Sequence, residues 1–292
     1  ITFSFPQGQY MTFNISKTNM NDIMLCEESK YPSSYVGYED IKTKFKKIDD
    51  IISDLTDIHS ILYGKTAIFD GDSICQANGD SRGGWAGIIG TRNEMDWHNV
   101  GIGGGTITAE LYADGSARHW VSRYIDTIHS NYPDLDYLIL EGGTNDADLL
   151  HNNELPFGDL DMTDYSGNYD DTTFTGAVES LFYKATSYFP TAKIGFIIAQ
   201  KMGKSNQGYT ELTRPRRMFF KRIMDICYKW GIPYINLWDE SPLNPSLLSY
   251  YDSTKTSQEN IDAGKAYTDG QHLTPIGYDI ITPKIEAWMK TL

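Results

Sequence analysis

The chain has 292 residues, of which 40% are hydrophobic and 13% aromatic, a composition that supports a folded core and excludes an intrinsically disordered protein. Its formal charge of −14 at pH 7 argues against nucleic acid and anionic membrane surfaces as partners, because both require a basic protein surface. No run approaches the roughly 18 consecutive apolar residues of a transmembrane helix, so we expect no membrane span.

The three cysteines, Cys26, Cys75 and Cys227, are odd in number and widely spaced along the chain. This pattern fits neither a disulfide framework nor a zinc site, so we expect buried free thiols.

Residues 1–39 contain short β-like runs, "ITFSF", "YMTFNIS" and "DIMLCE", separated by Gly, Pro, Asn and Ser. The runs are too few to close a sandwich. We interpret this segment as the β-rich remnant of an upstream domain, or as strands that pair between subunits.

Residues 40–64 have a helical period and predict a coiled-coil-like helix. Seam positions recur at alternating spacings of four and three residues, which is the a/d pattern of a coiled coil: Ile41, Phe45, Ile48, Ile52, Leu55, His59 and Leu62. Isoleucine at both a and d positions favours three strands, so residues 40–62 predict a homotrimer. A single amphipathic helix docked on its own domain gives nearly the same pattern and remains the alternative.

From residue 65 to 292, apolar runs alternate with amphipathic helical stretches. This alternation predicts an α/β domain with a parallel sheet and helices on both faces. The candidate strands are 66–70, 97–102, 136–141, 193–199 and 233–238, and the candidate helices fall near 82–92, 112–131, 173–188, 211–230 and 275–290.

Two insertions, 147–172 and 242–268, follow strand ends and are rich in Tyr, Asn, Asp, Ser and Thr. Aromatic faces with polar neighbours suit sugar rings, so the candidate substrate-binding residues are Asp72, Tyr165, Tyr169, Tyr250 and Tyr251. Ordinary surface loops are the alternative for these tyrosines. The aspartates of residues 159–171 suit Ca²⁺, but they lack an EF-hand spacing, so we interpret them as solvated charge and predict no metal site.

The stretch "AIFDGDSICQ" places Ser73 directly after a predicted strand and a Gly-Asp turn. Side chains at the carboxyl end of a parallel strand face the edge where open α/β folds bind ligands. Ser73 is therefore a candidate nucleophile, provided that other strand ends supply a base and oxyanion donors.

Two further strand ends carry candidate oxyanion donors. "HNVGIGGGT" ends the second strand in Gly103–Gly105, where the backbone can approach a ligand closely and direct an N–H group at it. "LILEGGTND" ends the third strand with Asn145, whose side-chain amide is a suitable donor.

"DGQHLTPIGY" supplies a candidate base. His272 lies three residues after Asp269 and just before Thr274-Pro275, which is a helix-start signal. Asp269 can orient one ring nitrogen while the other faces Ser73, as in a Ser-His-Asp triad. No Gly-x-Ser-x-Gly elbow surrounds Ser73, which argues against an ordinary α/β-hydrolase.

These four segments, in this order and spacing over residues 65–292, resemble the four conserved blocks of the SGNH (GDSL-type) hydrolase family. The resemblance implies a flavodoxin-like three-layer α/β/α fold with a five-stranded parallel sheet, and ester hydrolysis without a metal or cofactor. It implies Ser73, Asp269 and His272 as the triad and the groups of Ser73, Gly104 and Asn145 as the oxyanion hole.

Many members of the family remove acetyl groups from polysaccharides, so we expect a serine esterase acting on short-chain, O-acetyl esters of a cell-surface polysaccharide. A β-rich segment, a coil and an esterase also resemble the layout of phage tail or baseplate proteins, which implies an extracellular or virion-associated location. The alternatives are a secreted or cytoplasmic bacterial esterase, a lipid-directed esterase or lysophospholipase, and a non-catalytic glycan-binding receptor module of a phage tail.

Overall fold

The computed structural model describes residues 2–5, 9–12, 46–47, 60–109, 119, 121–151, 156–203 and 216–292. The chain divides into two compact units, Ile1–Ile58 and His59–Leu292.

In the first unit, strands β1 (Thr2–Phe5) and β2 (Gln9–Thr12) pair antiparallel, with Thr2 opposite Thr12. They correspond to the first two predicted β-like runs, and the third run lies outside the described residues. Residues 46–47 are helical, but the rest of the predicted coil up to residue 59 lies outside the described residues, so the trimer remains a prediction.

The predicted helix does not extend to residue 64. Residues 61–64 form a turn, in which the Tyr63 N–H donates to the Ser60 carbonyl at 2.9 Å. Leu62, the last predicted seam position, is fully buried in the core of the second unit. Leu62 therefore fits the heptad spacing without belonging to the predicted helix. A residue buried in a hydrophobic core satisfies the same apolar period as a seam position.

The second unit is built on a five-stranded parallel sheet with strand order β4-β3-β5-β6-β7. The strands are β3 (Thr66–Asp70), β4 (Asp96–Asn99), β5 (Tyr137–Glu141), β6 (Lys193–Ile198) and β7 (Tyr234–Asn236). The order changes direction at β3, so the carboxyl ends of β3, β4 and β5 flank a topological switch point, where open α/β sheets bind ligands.

Two hydrophobic clusters cover opposite faces of the sheet. In β3, Ile68 belongs to the first cluster and Phe69 to the second, because successive strand residues face opposite ways. The first cluster also contains residues of α3 (Val121–Asn131), α5 (Phe174–Tyr188) and α6 (Arg216–Trp230), and the second contains residues of α2 (Gly84–Arg92) and α9 (Pro275–Met289). The predicted three-layer α/β/α fold is confirmed.

Four shorter helices complete the described elements of this unit: α1 (Ser73–Gln76), α4 (Thr144–His151), α7 (Leu237–Glu240) and α8 (Ser257–Asp262). Among the described residues, no helix has the length and apolarity that crossing a membrane would require.

Candidate active site

Ser73 follows the carboxyl end of β3 and is the first residue of α1. The Asp72 carboxylate caps this helix, because its Oδ1 accepts a hydrogen bond from the Ile74 N–H at 2.8 Å. Asp72 is fully buried. Its predicted role in contacting substrate is therefore wrong, since the side chain holds the turn that presents Ser73.

This turn packs against the carboxyl end of β5. A Cβ on Gly71 would lie 2.8 Å from Glu141 Oε2, so a larger residue does not fit there, and the Asp72 N–H donates to the same oxygen at 3.3 Å. Burial and the charge of Asp72 raise the pKa of Glu141 well above its usual value. The sequence reasoning missed Glu141, although a carboxyl closing the apolar run "LILE" was a signal.

Ser73 and His272 are brought together from positions 199 residues apart. Ser73 Oγ lies 2.9 Å from His272 Nε2, and His272 Nδ1 lies 2.8 Å from Asp269 Oδ2. The pKa of Asp269 is about 2, because the hydrogen bonds and charge of His272 outweigh the effect of burial. An ionised carboxylate only accepts hydrogen bonds, so Nδ1 carries the ring proton and Nε2 is left to accept from the serine hydroxyl.

The loop that carries Asp269 and His272 is stabilised by hydrogen bonds between the Asp269 side chain and the backbone of the same loop. Asp269 Oδ1 accepts from the backbone N–H groups of Gln271 and His272 at 2.9 and 2.8 Å. Thr274 caps α9 and Pro275 occupies its first turn, as the sequence predicts. The aspartate is thereby fixed within reach of the imidazole.

Two buried polar side chains hydrogen-bond to Gln271 in this loop. Buried Arg216, at the start of α6, donates from Nη2 to Gln271 Oε1 at 2.8 Å, and Gln200 Nε2 donates to the Gln271 carbonyl at 3.1 Å. Burial lowers the pKa of His272 and the charge of Arg216 lowers it further, but the hydrogen bond and charge of Asp269 prevail and raise it above 6.5.

The glycine segment after β4 lies beside Ser73. A Cβ on Gly103 would be 3.8 Å from Ser73 Cβ, and the Gly103 N–H donates to Gln76 Oε1 at 2.9 Å. Gly104 has φ +77°, a conformation that glycine adopts without strain. The predicted oxyanion segment thus borders the serine.

Asn145 lies in the first turn of α4 rather than in an open turn. Its Nδ2 donates to the Gly105 carbonyl at 2.7 Å, which joins it to the glycine segment. The next residue, buried Asp146, accepts from the backbone N–H groups of Ile107 and Thr108, both at 3.0 Å. The ends of β3, β4 and β5 therefore converge at one rim.

Two predicted substrate-binding tyrosines lie far from this rim. The rings of Tyr165 and Tyr169 surround Lys229, with Nζ 5.0 and 5.4 Å from their centroids. Lys229 is thirteen residues along α6 from Arg216, about 20 Å at the helical rise per residue. Both tyrosines fasten the insertion to the buried Lys229–Glu179 ion pair, so they have a packing role away from Ser73, and a role in substrate binding remains a prediction.

The other two tyrosines also have structural roles. Tyr251 is buried in the second hydrophobic cluster, and partly buried Tyr250 packs against the same cluster. The Tyr250 carbonyl accepts from the N–H groups of Ala266 and Tyr267. Tyr251 is therefore a core residue, contrary to the prediction, and Tyr250 anchors a loop.

The aspartates of the first insertion bond to their own loop. Asp161, Asp164 and Asp170 each accept from the N–H two residues further on, at 2.8 to 3.1 Å. Within the described part of the chain, no group of three His, Cys, Asp or Glu side chains is arranged to hold a metal ion.

Cys75 and Cys227 are buried free thiols, as predicted, whereas Cys26 lies outside the described residues. Burial, with smaller contributions from the charges of Glu141, Asp70 and Asp72, raises the pKa of Cys75 well above its usual value. A thiol that holds its proton is a poor nucleophile, so Ser73 remains the candidate at this turn.

Comparison with solved structures supports the fold. A protein from Lactobacillus plantarum is 21% identical, with a TM-score of 0.57 over 78% of this chain and 98% of that one. A possible lipase from Chitinophaga pinensis is 18% identical, with a TM-score of 0.55 over 78% and 98%. The aryl esterase of M. smegmatis is 13% identical, with a TM-score of 0.52 over 78% and 99%. No curated protein matches the chain in sequence.

The fold and the converging strand ends define an α/β/α hydrolase-type domain with a serine at the sheet's switch point. The model of the GDSL-like lipase/acylhydrolase family matches residues 69–280, and the chain belongs to that family. The resemblance seen in the four sequence blocks is thereby confirmed.

Proposed function

We propose that the protein is a serine esterase that removes short acyl groups, with O-acetyl groups on a cell-surface polysaccharide as its natural substrate. Membership of the family supports carboxylic ester hydrolysis. The observation that carries the proposal is the continuous hydrogen-bonded chain from Ser73 Oγ through His272 to Asp269.

In the proposed reaction, His272 Nε2 takes the Ser73 proton as Oγ attacks the ester carbonyl carbon. Asp269 stabilises the imidazolium that forms. The tetrahedral intermediate collapses when the imidazolium protonates the leaving alcohol, and the acyl group remains on Ser73. Water, deprotonated by His272, then attacks the acyl-enzyme and releases the carboxylic acid and the free serine.

Negative charge develops on the former carbonyl oxygen during both steps. The backbone N–H groups of Ser73 and Gly104 and the Asn145 side-chain amide are the proposed donors to this oxygen. Their placement around the serine supports that role, because Gly103 lies beside Ser73 and Asn145 is bonded to Gly105. Oriented donors of this kind supply a large share of catalysis in acyl transfer.

The pH dependence follows from the state of His272. The ring must be neutral to accept the serine proton, and Asp269 raises its pKa above 6.5 against the effects of burial. We expect kcat/KM to fall on acidification, with an apparent pKa above 6.5. Hydrolysis of p-nitrophenyl acetate followed by pH-stat titration tests this, and an acid limb centred below 6.5 would contradict it.

The side chains near Ser73 favour a polar leaving group and a small acyl group. Gln76 hydrogen-bonds to exposed Asn78 and to the Gly103 N–H, and the Asn145 amide hydrogen-bonds to the Gly105 carbonyl of the same segment. Amides suit the hydroxyl groups of a sugar. Ile102, a residue of the same segment that is 43% exposed, offers an apolar contact to a short acyl chain.

The substrate class is tested with p-nitrophenyl acetate, butyrate and octanoate, and with acetate release from an acetylated polysaccharide. Ser73→Ala supplies the background for each substrate. We expect Ser73-dependent kcat/KM to be highest for acetate and to fall with chain length, and we expect acetate release from the polysaccharide.

Retained activity on octanoate would favour a lipid-directed esterase instead. Absence of Ser73-dependent turnover on every ester, including the polysaccharide, would overturn the enzymatic proposal in favour of a glycan-binding module.

A further inference from the structure

A second histidine–aspartate pair lies beneath the candidate site. His119 Nε2 is 2.9 Å from Asp70 Oδ1, and the two side chains are 4% and 0% exposed. Asp70 is the last residue of β3, three residues before Ser73. The proposed mechanism gives this pair no role, and burying two such polar side chains is not by itself a gain in stability.

The His119 ring packs under Gly105. A Cβ on Gly105 would lie 3.3 Å from His119 Cδ2 and 2.9 Å from the Ile102 carbonyl oxygen. The backbone is joined at the same place, because the Thr106 N–H donates to the His119 carbonyl at 3.0 Å. The His119 ring also contacts the Tyr124 ring edge to face, with the two ring centroids 4.5 Å apart.

Gly105 is the residue that orients Asn145. The Asn145 Nδ2 group has two hydrogens, and the 2.7 Å bond to the Gly105 carbonyl uses one of them. Because the amide is planar, the position of that carbonyl sets the direction of the second hydrogen. The segment has glycine at 101, 103, 104 and 105, so its own side chains do little to restrict the backbone.

We propose that His119, anchored by Asp70, is a positioning residue that fixes the Gly105 carbonyl and thereby aims the Asn145 amide at the oxyanion. This inference rests on the proposed esterase function. His119 acts through Gly105 and Asn145 without touching the substrate, so its loss weakens binding of the transition state while leaving binding of the ground state nearly unchanged.

The test is a double-mutant cycle on p-nitrophenyl acetate with His119→Ala, Asn145→Ala and the combined variant. We expect Asn145→Ala to lower kcat by about 10²–10³-fold. We expect His119→Ala to lower kcat by roughly 10- to 100-fold, with KM changed by no more than about twofold. In the Asn145→Ala background, the same His119 substitution should change kcat by less than about threefold.

Two further variants separate positioning from folding. His119→Gln keeps a neutral N–H donor for Asp70 and avoids leaving its buried carboxylate unpaired, so it should retain kcat within about threefold of the wild type. His129→Gln is the matched control, because that ring stacks on Tyr188 within the helical layer. Thermal melts by circular dichroism establish that each variant is folded at the assay temperature.

The inference is overturned if the His119 and Asn145 effects multiply in the combined variant, or if folded His119→Ala has the wild-type kcat. Equal losses in His119→Gln and His119→Ala would overturn it too, because the anchor to Asp70 would then be irrelevant. Absence of Ser73-dependent turnover in the wild type is a different result, which removes the proposed function and this inference together.

Discussion

Replacing Ser73 by alanine is expected to lower kcat by roughly 10⁶-fold, because the substitution removes the nucleophile and the groups around it then act on water alone. KM should change little, since the glycine segment, Asn145 and His272 remain in place. Burst kinetics with p-nitrophenyl acetate, together with mass spectrometry of the quenched wild-type protein, should reveal an acetyl group on Ser73 that the variant lacks.

Ser130→Ala is the matched control for this substitution. Ser130 lies on α3, where its hydroxyl donates to the Asp126 carbonyl, so the same chemical change is made away from the candidate site. Its kcat should equal that of the wild type. Turnover of Ser73→Ala within tenfold of the control would mean that another group attacks the ester.

The two central strands β3 and β5 were predictable from sequence because they are short apolar runs followed directly by glycine. "TAIFD" became β3 with four of its five residues buried, and "YLILE" became β5, which is buried throughout. The heptad period could not show how far the predicted coil extends, because Leu62 fits both a heptad and a hydrophobic core. Only the tertiary contacts place Leu62 in the second unit.

The candidate site was predictable where its residues lie in local motifs. Ser73, Asn145 and the Asp269–His272 pair each follow or precede a recognisable turn or helix start. His119 was missed because its partner Asp70 is 49 residues away and no local pattern connects them. The packing of Tyr165 was missed for a similar reason, since its contact with Lys229 spans 64 residues.

Asp269→Asn is expected to lower kcat by about 10⁴-fold while the fold and KM are retained. The carboxylate has two functions that an amide cannot supply. It fixes the proton on Nδ1 so that Nε2 can accept from Ser73, and it stabilises the imidazolium that forms. An asparagine that presents its NH₂ group would instead move the ring proton to Nε2, where it blocks acceptance from the serine.

The same substitution should change the pH profile, which a general loss of structure would not do. Asp269 is the largest influence that raises the pKa of His272, so its neutralisation leaves burial and Arg216 to lower that pKa against the charge of Asp72 alone. The acid limb of kcat/KM should therefore move to lower pH in Asp269→Asn. Asp252→Asn is the matched control, because Asp252 makes a similar turn bond to the Thr254 N–H without a histidine. A large loss of kcat with an unmoved acid limb would mean that Asp269 shapes the loop but does not act on the His272 ring.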